Sequence, residues 1–332
     1  MTRFEFQFRR LRDCPTRLFR YARSWVSGAV WPRYRRPLVT LLSSPDGFAL
    51  GDNLLLTTVA REIKKRNPNA RVEILTSRPE VFDRNPDVDC VTLLRRGDRS
   101  NSRKRTVSYK DGFPYRKHFL HYCCDCLDIP GPIDLRTYLY PSVEHQEWAN
   151  SVLSDLPGAP ILISRGAGSH AYRKAWPIES WNELVASLVR LAPVIDIGAD
   201  GSPLPFATSL YRSLLGDTSV HQLGALMSKA RGMITMDSGP LHVAAAFALP
   251  TVCILGGVYP PEAISYPHSK ILTHRPPCQD CAPLRHCDYD AKCLSAIKVQ
   301  DVLGALKEVC LGVPALEAFS LRNMMPEQSL FP

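Results

Sequence analysis

The 332-residue sequence lacks an apolar run of the roughly 18 residues that a membrane-spanning helix needs. Nor is there an export-signal core near its start, because arginines interrupt the first 37 residues throughout. Short-period repeats and long low-complexity tracts are missing, which excludes a solenoid or a fibrous chain. A soluble, cytoplasmic protein is the expectation, and 45% hydrophobic with 22% charged residues is ordinary for that class. Without an export signal, the eleven cysteines should be reduced or metal-bound rather than paired.

Acidic residues are nearly absent from positions 1–37, where ten arginines meet only Glu5 and Asp13, a net +8 out of the chain's +9. Aromatic and aliphatic residues interleave with those arginines, among them Phe4, Phe6, Phe8, Phe19, Trp25 and Trp31. The mixture suits an arm lying on an anionic lipid surface, here the inner face of the cytoplasmic membrane. A solvated, unfolded extension is the plainer alternative. Nucleic acid is disfavoured, since no nucleic-acid fold signature accompanies the arm. A second basic run, 95–117, carries nine Lys/Arg against Asp98 and Asp111 and reads as a polar loop.

Beyond the arm, buried-strand and helix patterns alternate. Strands are expected at 38–42, 72–75 and 91–94, with a helix over 53–66. Residues 141–160 are polar, helical in character and bounded by prolines, which suggests an interdomain connection. The alternation then restarts, with strands at 161–164, 194–197, 232–236 and 251–255 and helices at 178–191 and 220–228. Such alternation predicts an α/β chain with parallel sheets, divided as an arm (1–37), a shortened first domain (38–140), the connection (141–160), a second domain (161–312) and a tail (313–332).

Two polar knots stand out against this apolar background. Asp237-Ser238-Gly239-Pro240 falls between a strand and an alanine-rich helix, at the sheet edge where such folds bind ligands. Backbone N–H groups at a helix start favour an anion such as a diphosphate, though Asp or Ser there can equally be a helix cap. Gly51-Asp52-Asn53 follows the first strand in the same way, and Asp52 is placed either to cap a helix or to act as a general base.

Taken together, the knots carry a resemblance. "GDNLLLTTVAREIKKRNPNARVEILT" (51–76) with "NPDVD" (85–89) resembles the N-terminal signature of glycosyltransferase family 9, the heptosyltransferase family. "MDSGPLHVAAAFALPTVCILGG" (236–257) is similar to its C-terminal signature, and "RKAWPIESWNELV" (173–185) to its Lys-x-Trp-Pro element. "CQDCAPLRHCDYDAKCLSAIKVQDVLGAL" (278–306) resembles the cysteine-bearing segment that many members carry before their last helix. The likeness covers about 40–95 and 158–310.

The resemblance implies a GT-B fold, two facing Rossmann-like domains with parallel sheets and an interdomain cleft. It implies an inverting enzyme that needs no cofactor for catalysis and moves a sugar from ADP-heptose or another nucleotide-sugar to a hydroxyl. Asp52 takes the position of the base that deprotonates the acceptor, and Lys174 the position of the lysine near the leaving diphosphate. Gly51, Asn53, Ser169, Asp237, Ser238, Gly239 and His242 fall on substrate-binding positions. The chain departs from the family in Val59, where proline is usual, and in "DIGADGSPLPF" (196–206), where a nucleotide-contacting glutamate is often found and only Asp200 could stand in. Its 91–141 region is also unlike the usual acceptor lobe. The basic run there suits an anionic glycolipid acceptor such as lipopolysaccharide core, while protein acceptors stay open through autotransporter heptosyltransferases, which also carry a four-cysteine metal site. A catalytically silent nucleotide-sugar-binding protein is the alternative outside enzymology.

Cys278, Cys281, Cys287 and Cys293 have the number and spacing for a structural tetrahedral zinc or iron site, with reduced packing thiols or disulfides as the competing readings. Cys123, Cys124 and Cys126 form a second cluster, expected to pack as small buried hydrophobes.

Overall fold

The structure is a computed structural model that describes residues 38–43, 49–94, 105–109, 112, 115–166, 174–199, 201–274, 281, 287 and 290–311. The basic arm, Ser169, Asp200, Cys278 and the tail lie outside the described residues. Two compact units are present. The first holds the described residues up to Gly112 together with Phe119–Asp134, and the second holds Phe113–His118 and everything from Leu135 onward.

In the first unit four parallel strands, β1 (Leu38–Ser43), β2 (Arg71–Thr76), β3 (Cys90–Leu93) and β4 (Arg105–Val107), stand in the order β3-β2-β1-β4. Helix α1 (Leu50–Arg66) crosses from β1 to β2, and Leu54, Leu55, Val59 and Ile63 on it are fully buried. Truncating any one of these to alanine would cost on the order of 2–5 kcal/mol. The helix ends in Lys64, Lys65 and Arg66, cations that suit its carbonyl end. Lys64 is tied to Asp89 at 2.7 Å and Lys65 to Asp134 at 2.7 Å, while Arg66 pairs with the buried Glu62. A short helix α2 (Phe119–Asp125) packs on α1. Strand β4 lies inside the basic stretch that reads as a loop, and this corrects that expectation. Arg105-Thr106-Val107 pairs with β1 even though so polar a stretch gives little strand signal.

The second unit is a six-stranded parallel sheet, β5 (Ile161–Ser164), β6 (Val194–Gly198), β7 (Tyr211–Leu215), β8 (Gly232–Met236), β9 (Thr251–Leu255) and β10 (Ser269–Thr273), ordered β10-β9-β8-β5-β6-β7. Its helices are α3 (Val143–Leu153), α4 (Ile178–Leu188), α5 (Val220–Met227), α6 (Gly239–Ala246), α7 (Lys292–Ser295) and α8 (Val299–Leu311). Helix α4 buries Trp181, Leu184, Val185 and Leu188, one stripe at helical spacing. Trp176 packs edge-on to Trp181 and donates its indole N–H to the Ile297 carbonyl at 3.0 Å, fastening the Lys-x-Trp-Pro element to the segment that leads into α8. Residues 141–160 belong with this unit, because α3 packs on α5 and each helix is closed by a serine capping box.

Both sheets reverse strand order once. The first runs β1 to β3 in one direction and returns to add β4 on the other side of β1; the second runs β5 to β7 and returns to add β8 on the other side of β5. Connections leaving the carboxyl ends of the strands that flank such a reversal diverge, and the crevice they leave is where doubly wound sheets bind ligands.

Candidate active site

Among the described candidates, Asp52, Lys174 and Asp237 fall at these two reversals. In the first unit, Asp52 lies in the first turn of α1, the helix that leaves β1. That helix begins at Leu50, so Asp52 is already helical rather than ahead of the helix. Ala49 occupies the cap position and provides no side-chain bond. The half-buried Asp52 carboxylate accepts a hydrogen bond from the Tyr109 hydroxyl at 3.1 Å, and Tyr109 follows β4 by two residues. Asn53 is fully buried, donates through its amide to the Ala49 carbonyl at 2.9 Å and accepts from the Thr76 hydroxyl. Its side chain therefore joins the start of α1 to the end of β2, a positioning role. Gly51 is in the same first turn.

In the second unit, Lys174 lies on the connection leaving β5 and Asp237 directly follows β8. Their side chains form an ion pair at 2.6 Å, with 12% and 7% of each exposed. The Lys174 ammonium also sits 4.9 Å from the centroid of the Tyr259 ring, within cation–π range, and Tyr115 packs edge-on against Tyr259. Ser238 is the cap residue of α6, but neither it nor Asp237 caps the helix through its side chain. The Ser238 hydroxyl donates to the Met236 carbonyl at 3.3 Å and Asp237 is engaged with Lys174. The capping reading of this knot is thereby removed. Amides at the start of α6, at Ser238 and Gly239, have no intrahelical acceptor and carry the positive end of the dipole. His242, one turn in, is buried, and its Nδ1 is 2.6 Å from the Tyr266 hydroxyl.

A network that the sequence did not announce braces this edge. Arg165, the residue after β5, binds the fully buried Asp196 of β6 through Nε at 2.9 Å and Nη2 at 2.8 Å, and donates to the Ser202 carbonyl at 2.7 Å. Tyr211 donates to the same carboxylate at 3.0 Å and accepts from the Leu204 amide at 2.9 Å. Burial pushes Asp196 above the usual carboxylate range against the opposing pull of Arg165, and burial lifts Tyr211 to about 12. Ser202 and Leu204, on the connection after β6, are held in this way. Nearby, Arg165, Trp176, Ile178, Trp181, Leu294 and Ser295 contribute to the walls of a cavity of about 480 Å³.

Of the four-cysteine segment, Cys281, Cys287 and Cys293 are described. The Cys293 sulfur accepts the Gly257 N–H at 3.3 Å and the Cys287 sulfur accepts the Ala291 N–H at 3.4 Å. Among the described residues, no three His, Cys, Asp or Glu side chains converge as a metal site. In the other cluster, Cys123 and Cys124 are buried as expected, and burial pushes both thiols up, Cys124 to about 12. Cys126 is exposed, which departs from that expectation, because it lies just past the last turn of α2.

Two Rossmann-like parallel sheets, each with a candidate polar site at its reversal, define a GT-B-type α/β protein. The family profile described as glycosyltransferase family 9 (heptosyltransferase) matches residues 202–281. No curated protein sequence matches the chain. Among solved structures, the fold is similar to a family 9 glycosyltransferase from Veillonella parvula (TM-score 0.68, 19% identity, 86% of this chain and 100% of that one) and to ADP-heptose lipopolysaccharide heptosyltransferase II of E. coli (0.64, 18%, 83% and 99%). It is also similar to TibC, an iron-containing dodecameric glycosyltransferase of enterotoxigenic E. coli (0.61, 18%, 83% and 77%). The profile match covers 202–281 of the second unit, and the solved structures share the fold of the chain.

Proposed function

We propose that the protein is an inverting heptosyltransferase, moving heptose from ADP-heptose to a hydroxyl of a lipopolysaccharide-core or related anionic glycan. The observation that carries this reading is the buried Lys174–Asp237 pair beside the amide-bearing start of α6, at the reversal of the second sheet. A diphosphate entering there meets the α6 amides and competes with Asp237 for the Lys174 ammonium. The released Asp237 carboxylate is then placed to accept hydrogen bonds from sugar hydroxyls. As the anomeric carbon–oxygen bond breaks, charge grows on the leaving diphosphate, and the ammonium and the α6 amides stabilise it without reorganisation. Asp52 takes the proton of the acceptor hydroxyl as that oxygen bonds to the anomeric carbon from the opposite face. Two similar structures support the choice of donor: TibC in complex with ADP-D-β-D-heptose and E. coli WaaC with ADP. A thermal-shift panel of ADP-, GDP- and UDP-sugars tests it, because a ligand at a hundred times its Kd stabilises by about 2.7 kcal/mol. ADP-heptose should raise the midpoint most, and a larger shift with a GDP- or UDP-sugar would contradict the assignment.

The four cysteines are proposed as a structural zinc or iron site. Backbone N–H bonds to the sulfurs of Cys287 and Cys293 support it, since bonds of this kind accompany metal-bound thiolates. Anaerobically purified protein should contain about one equivalent of metal, and Cys281→Ser should lower both metal content and melting temperature. Metal-free protein of unchanged stability would leave packing thiols as the answer.

Among the described residues, no helix is long and apolar enough to cross a membrane. The arm of residues 1–37 is proposed to hold the enzyme at an anionic membrane, where a lipid-linked acceptor is confined. Each basic side chain near such a surface contributes on the order of 1 kcal/mol. Deleting residues 1–36 should release the protein from anionic liposomes and spare turnover on a delipidated acceptor. Equal co-sedimentation of full-length and truncated protein would refute the anchoring role.

A further inference from the structure

We infer that Tyr109 is a positioning residue for catalysis, holding the Asp52 carboxylate in the orientation in which it takes the acceptor proton; this rests on Asp52 acting as the base of the proposed transfer. The two residues are 57 apart in sequence, and the fold brings them together because β1 and β4 are parallel neighbours. The turn that opens α1 and the segment after β4 therefore leave the same edge of the sheet, on either side of its reversal. There the Tyr109 hydroxyl donates to Asp52 Oδ1 at 3.1 Å.

The rest of the segment is fixed so that the hydroxyl arrives in place. The Tyr109 ring stacks on Phe119 with centroids 3.9 Å apart and planes 16° from parallel. The Ser108 carbonyl accepts from the Cys126 thiol at 3.3 Å. Gly112 closes a turn by donating its N–H to the Tyr109 carbonyl at 2.9 Å, and a Cβ at Gly112 would stand only 2.6 Å from the Tyr122 ring. Phe119, Tyr122 and Cys126 recur at three- and four-residue intervals, along one face of α2 and its continuation. Ser108, Tyr109 and Gly112 thus lie along that face, and α2 in turn packs on α1, the helix that carries Asp52. The stack on Phe119, the Cys126 bond to Ser108 just past the helix and the close approach of Gly112 to Tyr122 together hold a single hydroxyl against the carboxylate, a supported arrangement of the kind that keeps a catalytic group within the tight tolerance proton transfer requires.

A bond made to the base, and not to substrate, should act on the rate of the chemical step alone. Tyr109→Phe keeps the ring and its stack on Phe119 and removes only the donor. With ADP-heptose as donor and delipidated lipopolysaccharide core as acceptor, kcat should fall about ten- to a hundredfold, as expected for one hydrogen bond to a charged group. KM for both substrates and the melting temperature should stay unchanged. Phe119→Leu, which loosens the ring but leaves its hydroxyl, should lower kcat by a smaller factor. In an Asp52→Asn background, Tyr109→Phe should cause no further loss, because the group it positions is gone. Wild-type kcat in Tyr109→Phe alongside an inactive Asp52→Asn would overturn the positioning role and leave the base reading intact. An equal fold-loss in both backgrounds, or a raised acceptor KM, would also overturn it, since Tyr109 would then act on substrate directly. Wild-type turnover in Asp52→Asn would overturn both.

Discussion

Asp52→Asn is expected to lower turnover by about a hundred- to ten-thousandfold and to leave nucleotide-sugar affinity within about twofold of wild type, because a base contributes only as its proton moves. Asparagine preserves the size of the side chain and can still meet the Tyr109 hydroxyl, but its amide cannot accept the acceptor proton. The surrounding fold should survive the change. The buried anchors of this turn are Leu54, Leu55 and the Asn53 bond to Thr76, none of which uses the Asp52 charge. Single-turnover kinetics with calorimetric donor titration separates the two quantities. A variant that turned over at the wild-type rate would reduce Asp52 to a charge near the start of a helix.

The second large effect is expected at Lys174. Lys174→Ala removes the counter-charge from a carboxylate that is 7% exposed, and unpairing a buried partner costs about 3–5 kcal/mol of stability. The same change removes the cation that meets the donor diphosphate, so nucleotide-sugar binding should weaken at least tenfold, and more at low salt. Stability and binding can be told apart with Lys174→Met combined with Asp237→Leu. Replacing a buried ion pair by apolar residues of similar volume is often neutral, so the double variant should regain much of the melting temperature while still failing to bind ADP-heptose. Donor affinity at the wild-type level in either variant would remove Lys174 from the site.

How much of this was legible in the sequence depended on where a residue sits in its sheet. Strands β5, β8 and β9 read to the residue, because central strands of a parallel sheet are buried on both faces and appear as short uninterrupted apolar runs. The edge strands β7 and β10 are mostly only partly buried and each carries adjacent polar residues, so Tyr211–Leu215 and Ser269–Thr273 gave no such run. Strand β4, three residues inside a basic stretch, was hidden by its charge. The sites followed the same logic. The turn at 237–240 was readable because a polar knot between a buried strand and a small-residue helix has a local signature. Partnerships were not readable: Lys174 with Asp237, Arg165 with Asp196 and Tyr109 with Asp52 join residues 63, 31 and 57 apart. Nothing local marks a tyrosine as the partner of an aspartate three strands earlier in the chain. Only the strand order, with β4 returning beside β1, makes them neighbours.

Transfer of heptose from a nucleotide donor by a single displacement at the anomeric carbon is the central proposal. Proton NMR of the product formed from ADP-D-β-D-heptose and delipidated lipopolysaccharide core tests it most directly. An α-linked heptose appearing at the rate of ADP release is the result the account predicts. A β-linked product, or ADP released with no glycan product, would contradict it.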